Sequence, residues 1–301
     1  ANGTYAQVLS KGSLVGNQTY NIIGLSNVSG SIIPDAQQIG NVTVSGISLV
    51  PSDTINYRVN GGVFGQFDEI NTNGPIVLGN AVANIAISPT FIAPPTLNSW
   101  LPLVNNTHAS DSIGGQFRFA NGTQIDTGMA LSIPNDPLHD LYTTYKFGTQ
   151  PPYNDFALIW SLAPGTQTQV VVDASWAGVE FGAVQSFNGS NYTIGLDGFA
   201  QMAGYSPVAG TSLVGGVAAV SANGTITIAN GSYNGTFTVN KGFQLVGPTG
   251  ANQAATFPLA TGQTLLQAGA NVSSTNWTGN LRFGNLYVGN GTVFDNVANI
   301  V

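Results

Sequence analysis

Cysteine is absent from the 301 residues, which rules out disulfide staples, thiol nucleophiles and thiolate metal sites. Charge is nearly as scarce. Asp, Glu, Lys and Arg make up 6% of the chain, against about 25% in an ordinary soluble protein. The bases Lys11, Arg58, Arg118, Lys146, Lys241 and Arg282 stand singly. No basic stripe exists to follow a phosphate backbone, which argues against nucleic-acid binding. No run approaches the roughly 18–20 apolar residues of a membrane span. No G-x-S-x-G elbow, P-loop or H-E-x-x-H occurs either.

What is present does not replace the missing charge. Apolar residues reach 43%, enough for a sizeable core. The net charge of −7 comes from 13 acids and 6 bases without any run of one sign. A surface this poor in charge needs another cover, and sugars or neighbouring subunits are the two physical routes. Ala1 stands first in place of a methionine, as expected of a mature chain cut from a signal peptide.

The sugar route has a direct signature. N-x-[S/T] occurs at Asn2, Asn17, Asn27, Asn41, Asn105, Asn121, Asn188, Asn191, Asn223, Asn230, Asn234, Asn271, Asn276 and Asn290. These are fourteen of the 31 asparagines, where chance placement gives about five. Nine Asn-Gly steps favour type I′ turns, and seven of them lie inside sequons. Turn chemistry explains the glycine but not the hydroxyl residue that follows it. The fourteen asparagines are therefore read as glycan acceptors on exposed turns.

Short alternating runs closed by Gly, Asn or Pro dominate: 41–50, 54–60, 116–120, 141–147, 166–174, 224–229, 235–240 and 281–288. Period-two alternation with β-branched and aromatic residues predicts an all-β chain, and the turn spacing points to a β-sandwich or jelly roll. The proline-rich segment 91–104 reads as a connection. The Pro-Pro step within 149–154 predicts two β-rich halves, 13–150 and 151–301, the second a further domain or the continuation of one large head, after an N-terminal strand and linker over 1–12. The stretch 91–102 is the competing break. That first strand, 4–10, is able to complete the sheet of a neighbouring subunit, and the C-terminal 292–301 is β-capable too.

The chemistry-bearing residues are few. His139 sits between Asp136 and Asp140 in 135–140, a pattern read as a capped turn in preference to a general base. The other histidine is His108. Asp68 and Glu69 are adjacent, and neighbours in a strand point to opposite faces, so they do not form a glycosidase pair. Asp53, Asp111, Asp126, Asp173 and Asp197 lie in or beside turns, which leaves calcium open, but no D-x-[DN]-x-[DN]-G loop occurs. Trp100, Trp160, Trp176 and Trp277 are core candidates before they are sugar-stacking platforms. No catalytic residue, metal or cofactor is expected beyond N-linked glycans.

Taken together, a first segment of strand chemistry, no cysteine, scarce charge, abundant Gly, Asn and Thr, and crowded sequons resemble the thread and bundling-pilus subunits of thermophilic archaea. The resemblance is one of composition and layout over the whole chain. It implies an extracellular filament on the cell surface, built head to tail from copies of this chain and used in adhesion or cell–cell contact. It implies donor-strand complementation, with Tyr5, Ala6, Gln7, Val8 and Leu9 as the donated strand. The long apolar N-terminal helix of type IV pilins is not present. The alternatives are a surface-layer or viral capsid protein and a secreted carbohydrate-binding or carbohydrate-cleaving β protein.

Overall fold

The computed structural model describes residues 39–44, 46–108, 113–147, 155–199 and 212–229. It also describes short strands at 13–15, 25–26, 31–33, 231–232, 243–246, 254–257, 271–273, 280–283 and 293–295. The expected donor strand Tyr5–Leu9 and the expected break at 149–154 lie outside these residues. The chain divides into two compact units, Ala1–Ser161 and Leu162–Val301.

The first unit is a stack of coils. The chain runs through β1 (Ser13–Val15) and β2 (Leu25–Ser26), then β3 (Ser31–Ile33), β4 (Asn41–Val44) and β5 (Ile47–Ser48). The next turn gives β6 (Thr54–Gly61), β7 (Glu69–Thr72) and β8 (Ile76–Val77). The one after gives β9 (Val82–Ile92), β10 (Ser99–Asn106) and β11 (Ile113–Gly114). Equivalent strands of successive coils pair in parallel, as β1-β3-β6-β9, β4-β7-β10 and β2-β5-β8-β11. Beyond β10 the second sheet continues through β14 (Asp155–Leu162), β13 (Asp136–Phe147) and β12 (Ala130–Ile133). There the β10–β14 and β12–β13 pairs are antiparallel.

The all-β expectation holds. The sandwich or jelly roll does not describe these ladders, because period-two alternation is the same in an antiparallel sandwich strand and in one rung of a parallel coil. What separates the two is pairing. Here each rung pairs with the residue one coil away: Val42 with Ile70 and Ile70 with Val104, Ile47 with Ile76 and Ile76 with Ile113. Such a stack is a parallel β-solenoid. Apolar residues at equal rungs pile into one column, so Val42, Ile70, Val104, Ile47 and Ile76 are all buried in a single core. Phe117 joins them edge-on to Phe156, with ring centroids 5.1 Å apart. At a corner of the coil, Gly79 has φ 53°, and a Cβ there would lie 2.0 Å from the Leu49 carbonyl oxygen of the coil before.

Segment 91–104 is mostly strand and not a connection: β9 ends at Ile92 and β10 begins at Ser99. Pro102 misled the reading. It sits within β10 opposite Ala157, next to a shift in register, which is where a ladder tolerates proline.

One carboxylate ties two coils. Asp68, fully buried, accepts the Gly40 N–H at 2.7 Å and the Arg58 N–H at 2.8 Å. It also takes the Arg58 guanidinium in a two-point grip, at 2.9 Å from Nε and 3.0 Å from Nη2.

The second unit repeats the design. Its strands are β15 (Gln167–Val172), β16 (Val184–Phe187), β17 (Ser190–Thr193), β18 (Gly198–Phe199) and β19 (Val220–Ile228). The chain then continues through β20 (Gly231–Ser232), β21 (Phe243–Val246), β22 (Ala254–Phe257), β23 (Asn271–Ser273), β24 (Asn280–Phe283) and β25 (Val293–Asp295). One sheet runs β18-β15-β19-β21-β23-β25 and another β20-β22-β24, all in parallel. The one α-helix among the described residues, α1 (Ser212–Ala219), lies on this sheet. It comes close because Gly215 has no side chain: a Cβ there would be 2.4 Å from the Phe199 ring.

Replacing Asp68 with alanine removes the buried acceptor of two backbone N–H groups and one partner of the Arg58 guanidinium. The expected cost is about 3–5 kcal/mol of folding free energy, read as a fall in the urea midpoint.

Candidate functional site

Two polar features stand out among the described residues, a row of amides and acids on the second sheet of the first unit and a set of sequon turns. The row follows from strand alternation. In β7, Ile70 points into the core and Glu69 and Asn71 to the other face. β4 adds Asn41 and β10 adds Asn105, while Phe156 in the core leaves Asp155 of β14 on the outer side. Asn71 Nδ2 donates to Asn41 Oδ1 at 2.7 Å, and Asn105 Nδ2 to Asn71 Oδ1 at 2.8 Å. Glu69 lies alongside, with Oε2 accepting Asn41 Nδ2 and Oε1 accepting Asn105 Nδ2, both at 3.1 Å. The Asn106 backbone N–H donates to Asp155 Oδ1.

Both acids of the row are closed to solvent, Glu69 at 4% and Asp155 at 3% exposed. Burial raises the Glu69 carboxyl above its ordinary range, and hydrogen bonds from Asn105 and Asn71 pull it part of the way back. Burial also pushes Asp155 up to about 6, against the pull of the Asn106 N–H, and the Glu69 charge adds to the rise. Sequence reasoning missed this pairing, because Glu69 and Asp155 are remote in sequence and share no motif. The amide ladder did leave a trace: its bonded asparagines are 30 and 34 residues apart, close to one coil.

Two sequons therefore sit inside the fold's own bonding. Asn41 and Asn105 are half-buried members of the ladder. Asn121, Asn188, Asn191 and Asn223 are exposed. Asn188 and Gly189 have φ 49° and 82° and join Phe187 to Ser190 across the β16–β17 hairpin, the two-residue turn that Asn-Gly favours. Asn191 is on the return strand. Asn121 Oδ1 accepts the Thr123 N–H at 3.0 Å. Asn223 has φ 66° and lies in β19 where its register against β15 shifts between Gln167 and Gln169. Asn271 opens β23. Asn2, Asn17, Asn27, Asn230, Asn234, Asn276 and Asn290 lie outside the described residues.

The remaining candidates have structural partners. His139 Nδ1 is 2.9 Å from Asp136 Oδ2, and its ring stacks on Trp160 at 4.4 Å. Asp136 Oδ1 also accepts the Leu138 N–H, and Asn135 turns the chain at φ 66°, so 135–140 is a capped hairpin. Burial raises the neighbouring Asp140 carboxyl; a bond from Ser132 lowers it, the Asp136 charge raises it and His139 lowers it. His108 donates its backbone N–H to Asn106 Oδ1. Trp160 and Trp176 are buried, the second edge-on to Phe187, and Trp100 is half-buried. Trp277 lies outside the described residues.

Among the acids considered for calcium, Asp53 accepts the Val50 N–H, Asp126 the Gln116 amide, Asp173 the Ser175 N–H and Asp197 the Thr193 N–H. Asp111 lies outside the described residues. Among the described residues no three acids or histidines stand close enough to hold a metal ion. No helix there is long and apolar enough to cross a membrane.

Burial raises Asp197 as well, so four acids share one direction. A raised folded-state value means that the folded chain keeps a proton the unfolded chain has lost. The resulting stability is full below the unfolded value near 4 and is lost as pH rises through about 6, the value for Asp155. Thermal melts are expected to give a higher Tm at pH 4.5 than at pH 7.5. Asp155→Asn should flatten that difference by on the order of 2 kcal/mol. No protein-family model, curated protein or solved structure matches the chain.

Proposed function

We propose that the chain is a structural subunit of an extracellular glycosylated assembly, a filament of copies joined head to tail that serves adhesion or cell–cell contact. The observation that carries the reading is the pairing of 6% charge with sequon asparagines on exposed turns and strands. A surface without ions stays in solution only under another hydrophilic cover. Asn121, Asn188, Asn191 and Asn223 are exposed and make no side-chain bond through Nδ2, the atom that takes a sugar, among the described residues. On this reading they carry glycans, while Asn41 and Asn105 serve the ladder.

The coil stack supports assembly. In a solenoid each coil contacts only its neighbours, so the end strands need caps or partners. Repeated head-to-tail contacts that do not close on themselves give filaments. A carbohydrate-cleaving reading finds less support, since Glu69 and Asp155 are shut off from solvent. The donor strand Tyr5–Leu9 stays part of the proposal, with deletion of residues 1–12 as its test.

Negative-stain microscopy and gel migration of the native material check the reading together. The expected result is filaments from a species running well above 31.0 kDa, shortened or lost on deletion of residues 1–12. Sheets would favour a surface-layer lattice, and a bare monomer at 31.0 kDa would overturn the proposal. Changing Asn121, Asn188, Asn191 and Asn223 together to Gln is expected to lower the apparent mass and the solubility limit, measured by light scattering.

A further inference from the structure

We propose that the glycan on Asn121 folds back along the open edge of β9 and closes it, in the place where the coil stack has no further strand. The inference rests on the glycosylation reading and gives one of its sugars a seat and a task. In a parallel ladder, alternate residues bond to alternate neighbours. Val82 donates its N–H to Asp53 O, toward the coil before, so the backbones of Asn84 and Ala86 bond toward β6 as well. Those of Ala83, Ile85 and Ile87 face the other way. Ala83 finds a partner there: its N–H donates to Arg118 O at 2.9 Å, and the Arg118 N–H donates to Ala81 O at 3.0 Å. Arg118 bridges Val82 in parallel and so begins one more rung.

That rung does not continue. The Phe119 N–H donates to Thr123 O, the Ile125 N–H to Phe117 O, and the N–H of Gly122, at φ 87°, to Phe119 O. Residues 117–125 are therefore a tight hairpin with Asn121 and Gly122 at its tip. Between this tip and the edge of β9 runs an open groove lined by Ala83, Asn84, Ile85, Ala86, Phe119 and Asn121. Among the described residues β9 pairs with β6 and, at Val82, with Arg118. The outward N–H and C=O of Ile85 and Ile87 are thus left without a strand partner.

Three observations name the occupant. The first is attachment. Asn121 lines the groove, is exposed, and opens the sequon that Thr123 completes. Its Oδ1 accepts the Thr123 N–H at 3.0 Å, which fixes the amide and leaves Nδ2 for a sugar. The second is chemistry. A hydroxyl both donates and accepts, so sugar hydroxyls satisfy the outward N–H and C=O groups of the edge alike. Asn84 adds an acceptor, since its Nδ2 is spent on Asn56 Oδ1 at 2.9 Å and its Oδ1 ends that amide pair. The half-buried Phe119 ring offers an apolar face to the C–H side of a sugar. The third is need. Sheet edges are guarded by charged side chains or covered, and the nearby cation Arg118 is engaged by Asn80 O and Pro51 O. The unpaired edge from Ile85 to Ile87 is about 7 Å long, short enough for the first sugars of a glycan to cover.

Hydrogen exchange of the full glycosylated chain, read by mass spectrometry on peptides covering β9, tests the cap. Thr123→Ala removes the sequon while keeping the Asn121 side chain and the N–H it accepts; Thr123→Ser keeps the sequon. The amides of Ile85 and Ile87 should exchange about tenfold faster or more in Thr123→Ala than in wild type, and at the wild-type rate in Thr123→Ser. Ser190→Ala, which removes the Asn188 sequon of the second unit, should leave both amides unchanged. Enzymatic removal of glycans from the folded wild-type chain makes the same comparison without a substitution, and decides the matter if Thr123→Ala lowers Tm. A sugar found on Asn121 together with equal exchange in its presence and absence would overturn the cap and leave glycosylation standing. A native chain whose Asn121 is bare would overturn the glycan reading at this site and the cap with it.

Discussion

One buried carboxylate, Asp68, ties two coils of the first unit from inside the core. A coil stack has no hub: each coil touches only the one before and the one after, so whatever fixes one coil to the next fixes everything beyond it. Asp68 does this by holding the Gly40 N–H of one coil and the Arg58 backbone and guanidinium of the next. Its neighbour Glu69 points the other way and holds the amides of Asn41 and Asn105. Two adjacent acids thus bind neighbouring coils from opposite faces at the start of β7.

Stacking in parallel also gives the scarcity of charge a cause. Equivalent positions of successive coils sit one strand spacing apart, and like charges there repel. An amide avoids this, since it donates toward one neighbour and accepts from the other. Among the described residues asparagine is used in that way in Asn41–Asn71–Asn105 and in Asn56–Asn84. On exposed turns the same residue offers its amide nitrogen as the point of attachment our proposal assigns to a glycan. Asparagine therefore serves as rung within the stack and, on our reading, as anchor for the cover outside it.

Individual strands were legible in the sequence, and their partners were not. Thr54–Asn60 and Thr166–Ala174 were read from alternation and match β6 and β15 closely. The Asn188–Gly189 turn was read from two residues, because positive φ at both is a local demand. Parallel stacking was hidden because the equivalent rungs Ser31, Thr54 and Val82 are unevenly spaced, which blurs any repeat. The meeting of Glu69 with Asp155 needed the antiparallel return of β14 onto β10, which no local signal encodes. Asn41 and Asn105 looked like every other sequon, since a three-residue pattern does not say whether the amide is already bonded.

The most direct test of this division of asparagines is site-resolved glycopeptide mass spectrometry of the native chain. The account predicts sugar on Asn121, Asn188, Asn191 and Asn223, with Asn41 and Asn105 unmodified. Bare asparagines at the exposed sites, or glycans on the two ladder residues, would contradict it.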